Sequence, residues 1–104
     1  MTPALESKIK TTIDSKRIVL FMKGTRDMPQ CGFSAQVAGI LKRRAVDFLD
    51  VNVLLDPDLR QGLKEYSSWP TFPQLYVDGK LIGGADIVAE LDTSDELAHL
   101  LRVG

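Results

Sequence analysis

Apolar positions along the chain fall into two kinds of pattern, and they alternate. From Pro3 to Ser15 they recur at helical spacing, with Leu5, Ile9 and Ile13 on one face. Thr2 is placed to cap that helix and Pro3 suits its first turn. Arg17 to Met22 carries a continuous apolar run rich in β-branched residues. It is too short for a typical helix and fits a strand buried on both faces. A loop from Lys23 to Gln30, broken by Gly24 and Pro29, leads to a second helical pattern from about Phe33 to Arg44. Val37, Ile40 and Leu41 form its apolar face, and Lys42, Arg43 and Arg44 sit where the helix dipole favours cations.

Val46 to Val51 alternates weakly and predicts a second strand. Asp56 as cap and Pro57 in the first turn start a third helix, running to about Tyr66. Gln74–Val77 and Leu81–Gly83, joined through Asp78-Gly79-Lys80, form a hairpin signal, because Asp-Gly favours the primed turns that link antiparallel strands. Helices are predicted from Asp86 to Leu91 and from Asp95 to Arg102. The whole predicts one α/β domain over residues 1–104: a four-stranded mixed sheet flanked by helices, its first two strands parallel through a helical crossover.

Composition adds mainly exclusions. The chain is 44% hydrophobic and 26% charged, which is ordinary for a globular protein, and its net charge of −1 gives no nucleic-acid footprint. The longest apolar run, Ile18 to Met22, is far short of a membrane span. The N-terminal stretch lacks the apolar core of a signal peptide and the Arg-rich character of a transit peptide. A lone cysteine in such a chain is expected in a reducing compartment, cytoplasmic by default, with a processed organellar form left open.

That cysteine, Cys31, opens Cys31-Gly32-Phe33-Ser34, a redox-motif spacing with the second thiol replaced by a hydroxyl. No internal disulfide is available to it, so any partner sulfur comes from a small thiol, a second copy or a substrate. Free cysteines are commonly buried structural groups. Here the residue follows a polar loop and immediately precedes a helix, whose unpaired amides and dipole stabilise a thiolate, with Lys23 adding positive charge. Ser34 is expected to be a capping or amide-facing hydroxyl, and His99 to be a surface or hydrogen-bond-satisfied residue of the last helix. Trp69-Pro70-Thr71-Phe72-Pro73 leads into a strand with backbone groups free for a peptide-like ligand. Gly83-Gly84-Ala85-Asp86 opens a helix where a carboxylate can be held.

Taken together, Lys23-Gly24-Thr25, Pro29 to Ser34, Tyr66 to Tyr76 and Gly83-Gly84 with Asp86-Ile87 resemble the monothiol glutaredoxins of CGFS type over essentially the whole chain. The resemblance implies a thioredoxin-like fold with Pro73 in cis. It also implies glutathione binding: Lys23 and Arg60 at the glycyl carboxylate, the Phe72 backbone pairing with the cysteinyl unit, Ala85 and Asp86 at the γ-glutamyl end, and Cys31, Thr71, Pro73 and Gly84 also in the site. Two residues depart from the family pattern: Ala85 stands where a second cysteine is frequent, and Phe72, with a larger ring that can narrow the groove, where isoleucine is usual. The further implications are a [2Fe–2S] cluster with Cys31 as the chain's ligand, a glutathione-bridged homodimer, acceptor proteins and a BolA-type partner. Cluster carriage ranks first, a BolA-linked iron or redox sensor second, and a monothiol oxidoreductase acting on glutathionylated proteins third. The loop between Lys23 and Cys31, longer than in dithiol glutaredoxins, argues against efficient turnover.

Overall fold

A computed structural model describes residues 1–102. Helix α1 (Pro3–Asp14) leads to strand β1 (Ile18–Met22), helix α2 (Gly32–Arg43) and strand β2 (Leu49–Asn52). A short 3-10 turn (Val53–Leu55) precedes α3 (Pro57–Ser67). The hairpin β3 (Gln74–Val77) and β4 (Lys80–Gly83) follows, then α4 (Ala85–Thr93) and α5 (Glu96–Leu101). The strands lie in the order β2-β1-β3-β4, with β1 parallel to β2 and antiparallel to β3. This is the predicted four-stranded mixed sheet.

β1 reads as an unbroken apolar run because both of its faces are covered. Ile18, Leu20 and Met22 enter one core with Val37 and Leu41 of α2, Val88 of α4 and Leu97 of α5. Val19 and Phe21 enter a second core with Ile9 and Ile13 of α1 and Leu63 of α3. Phe21 meets Tyr76 edge to face, ring centroids 5.6 Å apart. Cys31 and the loop before it therefore emerge from the C-terminal end of a strand held on every side, so the site rests on a fully buried strand.

The helix starts follow the capping residues. Thr2 Oγ1 accepts the Leu5 N–H at 3.2 Å, and Asp56 Oδ1 accepts the Leu59 N–H at 3.1 Å. β2 departs from expectation by starting at Leu49 rather than Val46. Ala45 adopts a left-handed conformation (φ 56°), and the Ala45 and Val46 N–H groups turn back to the carbonyls of Lys42 and Leu41. Val46 is thus used to close α2, by a device normally signalled by glycine.

Asp56 also receives the Lys8 ammonium at 2.7 Å. That ammonium first, and the Leu59 N–H second, hold its carboxyl below the ordinary carboxylate range. With a depressed folded-state value, the stabilisation is complete above the unfolded value of about 3.9 and is lost as pH falls through the folded value. Asp56→Ala is expected to cost about 1 kcal/mol in urea unfolding at neutral pH, with the deficit shrinking below about pH 4.

Candidate functional site

Cys31 occupies the N-cap of α2 in extended conformation (φ −156°, ψ 141°), and its side chain caps no amide in the usual way. The half-buried thiol instead faces the first turn of the helix. The Ser34 N–H is the largest influence stabilising the thiolate, followed by the Phe33 N–H, the Ser34 hydroxyl and the charge of Lys23. Partial burial opposes them without cancelling them, so the thiol is more acidic than usual. Alkylation of Cys31 followed against pH is expected to show a midpoint below the ordinary value of about 8.5, and Lys23→Ala is expected to move it upward. A midpoint at or above the ordinary value would contradict this reading of the thiol.

Ser34 is fully buried, and its Oγ accepts the Lys23 N–H at 3.0 Å. It joins the end of β1 to the first turn of α2, the amide-facing role its position suggested.

The loop between Lys23 and Cys31 is tightly tied. Thr25 and Met28 exchange backbone hydrogen bonds of 3.2 and 3.1 Å, and the Gln30 N–H returns to the Lys23 carbonyl at 2.9 Å. Gly24 makes this closure possible: its φ is +89°, and a Cβ there would lie 2.4 Å from the Met28 carbonyl oxygen. Arg26 fastens the loop to β2. Its N–H reaches Asp50 Oδ2 at 2.9 Å, its guanidinium reaches Asp50 Oδ1 and the Phe48 carbonyl, and its charge sits 3.8 Å from the centroid of the Phe48 ring. Burial pushes the Asp50 carboxyl up, but the Arg26 hydrogen bonds and charge outweigh it and leave the value lowered.

Across from the thiol runs the segment Trp69 to Pro73, with the Phe72–Pro73 bond in cis. Gly84 caps α4 without any side-chain acceptor at that helix start. A Cβ on Gly84 would lie 3.3 Å from both the Pro73 carbonyl and Trp69 Nε1, so glycine lets the two segments close on each other. Between them and Cys31 lies a groove of about 480 Å³, the size of a small-ligand site.

All nine residues singled out from the sequence line this groove: Lys23, Cys31, Arg60, Thr71, Phe72, Pro73, Gly84, Ala85 and Asp86. Phe72 is only 6% exposed and belongs to the α1/α3 core, so its larger ring is absorbed there rather than narrowing the groove. Lys64, one helical turn beyond Arg60, also lines the groove, and sequence reasoning missed it. Its only signal was the i, i+4 spacing from Arg60. Phe33, Trp69, Pro70 and Ile87 complete the lining, while His99 is exposed on α5. Lys23, Arg60 and Lys64 take part in no ion pair among the described residues, whereas Arg17, Arg26, Arg43 and Arg44 all do. The buried Nε of Arg60 also has no hydrogen-bond partner. Unpaired cations collected in one concavity fit an anionic ligand.

The glutaredoxin family profile matches residues 18–82. The chain belongs to the glutaredoxin family. Its relatives are monothiol members: it is 53% identical over 94 residues to the probable monothiol glutaredoxin 2 of Rickettsia typhi, covering 90% of this chain and 85% of that protein. It is 55% identical over 97 residues to the chloroplastic monothiol glutaredoxin-S14 of Arabidopsis thaliana, covering 93% of this chain but 56% of that longer protein. Among solved structures, the solution structure of reduced apo GrxS14 from poplar superposes with a TM-score of 0.82 at 56% identity, covering 94% of this chain and 90% of that one. The holo form of glutaredoxin C1 from Populus tremula x tremuloides gives 0.85 at 28% identity, covering 94% and 86%. The fold is thus the thioredoxin-like one of glutaredoxins, whose working thiol compound is glutathione. As a glutaredoxin with one cysteine, the chain has no resolving thiol of its own.

Proposed function

We propose that this glutaredoxin binds glutathione in the groove and that two copies carry one [2Fe–2S] cluster between them as cargo. The observation that carries the reading is a single half-buried thiol, more acidic than usual, at the end of a groove lined by unpaired cations. Glutathione brings two carboxylates, an ammonium and a peptide backbone. Lys23, Arg60 and Lys64 suit the glycyl carboxylate, the Thr71–Phe72 backbone suits strand-like pairing with the cysteinyl unit, and the start of α4 with Asp86 suits the γ-glutamyl end. The ligand sulfur then lies beside Cys31.

The donor set fits a shared cluster better than a metal site within one chain. Among the described residues no group of three or more His, Cys, Asp or Glu is arranged for a metal. A [2Fe–2S] cluster of the common kind takes four thiolates. Two Cys31 side chains and two glutathione molecules supply four, and two of these exchange freely. Such lability suits transfer to acceptor proteins, with a BolA-type protein as an alternative partner for the cluster-bearing face. A reducing compartment, cytoplasmic or organellar, suits a ligand that must stay a thiolate.

The acidity of Cys31 also favours a second reading. Its thiolate attacks the glutathione sulfur of a mixed disulfide and releases the substrate thiolate, which takes up a proton. A second glutathione thiolate then attacks the Cys31–glutathione disulfide, giving glutathione disulfide and restoring Cys31. The two readings separate in one comparison. A carrier reconstituted without air is brown and dimeric only when glutathione is present, and its colourless monomer turns over glutathione mixed disulfides slowly. A colourless monomer under all conditions, with rapid turnover, would put the oxidoreductase first.

A further inference from the structure

Among the described residues, two polar side chains are fully buried: Ser34 and Gln74. Both touch the walls of the groove from inside. Ser34 braces the thiol side. Gln74, at the start of β3, does the equivalent for the opposite side. Its Nε2 donates to the Trp69 carbonyl at 3.1 Å and to the Thr71 carbonyl at 3.3 Å, and its Oε1 accepts the Tyr76 hydroxyl at 3.2 Å. The amide orientation follows from its neighbours, since two backbone carbonyls can only accept and so require the NH2 end. A buried primary amide is costly unless its hydrogen bonds are made. This one uses both N–H groups on the segment that forms the groove wall.

We propose that Gln74 is a positioning residue for ligand binding: it fixes the Trp69 and Thr71 carbonyls and thereby holds the 69–73 wall in the shape that pairs with the ligand backbone. The inference rests on the reading of the groove as a glutathione site. Gln74 does not itself line the groove, so its influence on the ligand passes through that wall. The Tyr76 hydroxyl, buried against Phe21 and pushed up to about 12 by that burial, donates only to the far oxygen of the amide and touches neither wall carbonyl.

The test compares glutathione affinity by calorimetry in wild type, Gln74→Met and Tyr76→Phe, with thermal unfolding measured alongside. Gln74→Met keeps the volume and removes both donors; about tenfold weaker binding is expected well below its unfolding temperature. Tyr76→Phe keeps both donors, so it is expected to lower stability and to leave affinity within about twofold of wild type. Equal affinity in wild type and Gln74→Met would overturn the inference, as would equal losses in both variants, which would mean that binding merely follows stability. Wild type that does not bind glutathione would instead overturn the reading of the groove. Should Gln74→Met not fold, wild type carries the test: the Gln74 side-chain amide protons are expected to shift and exchange more slowly in saturating glutathione. Amide signals that do not respond would contradict the coupling.

Discussion

Cys31→Ser, reconstituted without air with iron, sulfide and glutathione, is expected to stay colourless and monomeric. Cys31 is the chain's one thiol, and a serine hydroxyl is not deprotonated at neutral pH, so the variant offers no soft anionic ligand. Cluster loss should be complete rather than partial, and turnover of glutathione mixed disulfides should vanish with it. Stability should move the other way. Cys31 stands at an N-cap position where its side chain makes no cap hydrogen bond, and serine is among the best residues there. Thermal unfolding of Cys31→Ser is therefore expected to show equal or higher stability, by up to about 1 kcal/mol. A cysteine held where serine would cap better is a trade of stability for chemistry. A variant that still binds a cluster would remove Cys31 from the ligand set.

Lys23→Ala is expected to weaken glutathione binding by about 1.5–3 kcal/mol, roughly 10- to 150-fold, typical for a lost hydrogen bond to a charged group. Lys23 lines the groove and has no ion-pair partner among the described residues, so its removal leaves no buried carboxylate stranded. Unfolding should accordingly be unchanged. Lys10, exposed on α1, provides the control. Lys10→Ala alters net charge equally and should leave affinity alone, so a matching loss there would mean diffuse attraction rather than a seat for a carboxylate. Added salt should weaken wild-type binding more than binding by Lys23→Ala, because the variant has less attraction left to screen. Unchanged affinity in Lys23→Ala would show that the glycyl carboxylate sits elsewhere.

The main elements were legible because their signals are local. Thr2-Pro3 and Asp56-Pro57 announce helix starts, and both caps form as expected. Ile18 to Met22 announces a central strand, and all five of its residues are buried. The start of β2 was not legible, because Ala45 takes a left-handed conformation that its side chain does not advertise. The groove was legible in a different sense. Lys23, Arg60 and Asp86 are far apart in sequence, and no periodicity brings them together; only the resemblance to a known family did. Contacts across the fold stayed hidden for the same reason. The Arg26 anchor on Asp50 and Phe48, the inward ring of Phe72 and the Gln74 brace all depend on contacts between elements. Gln74 in particular looks like one polar residue at the edge of an apolar strand, and its amide finds its partners only in the 69–73 segment and the Tyr76 hydroxyl.

The proposed cluster-bearing species is defined by its composition: two chains, two glutathione molecules and one cluster. Native mass spectrometry of the anaerobically reconstituted protein measures that directly. The expected species is a dimer whose added mass equals one [2Fe–2S] unit and two glutathiones, and which dissociates to monomer when the cluster is lost. A cluster-bearing dimer without glutathione, or a cluster on a single chain, would contradict the four-thiolate account.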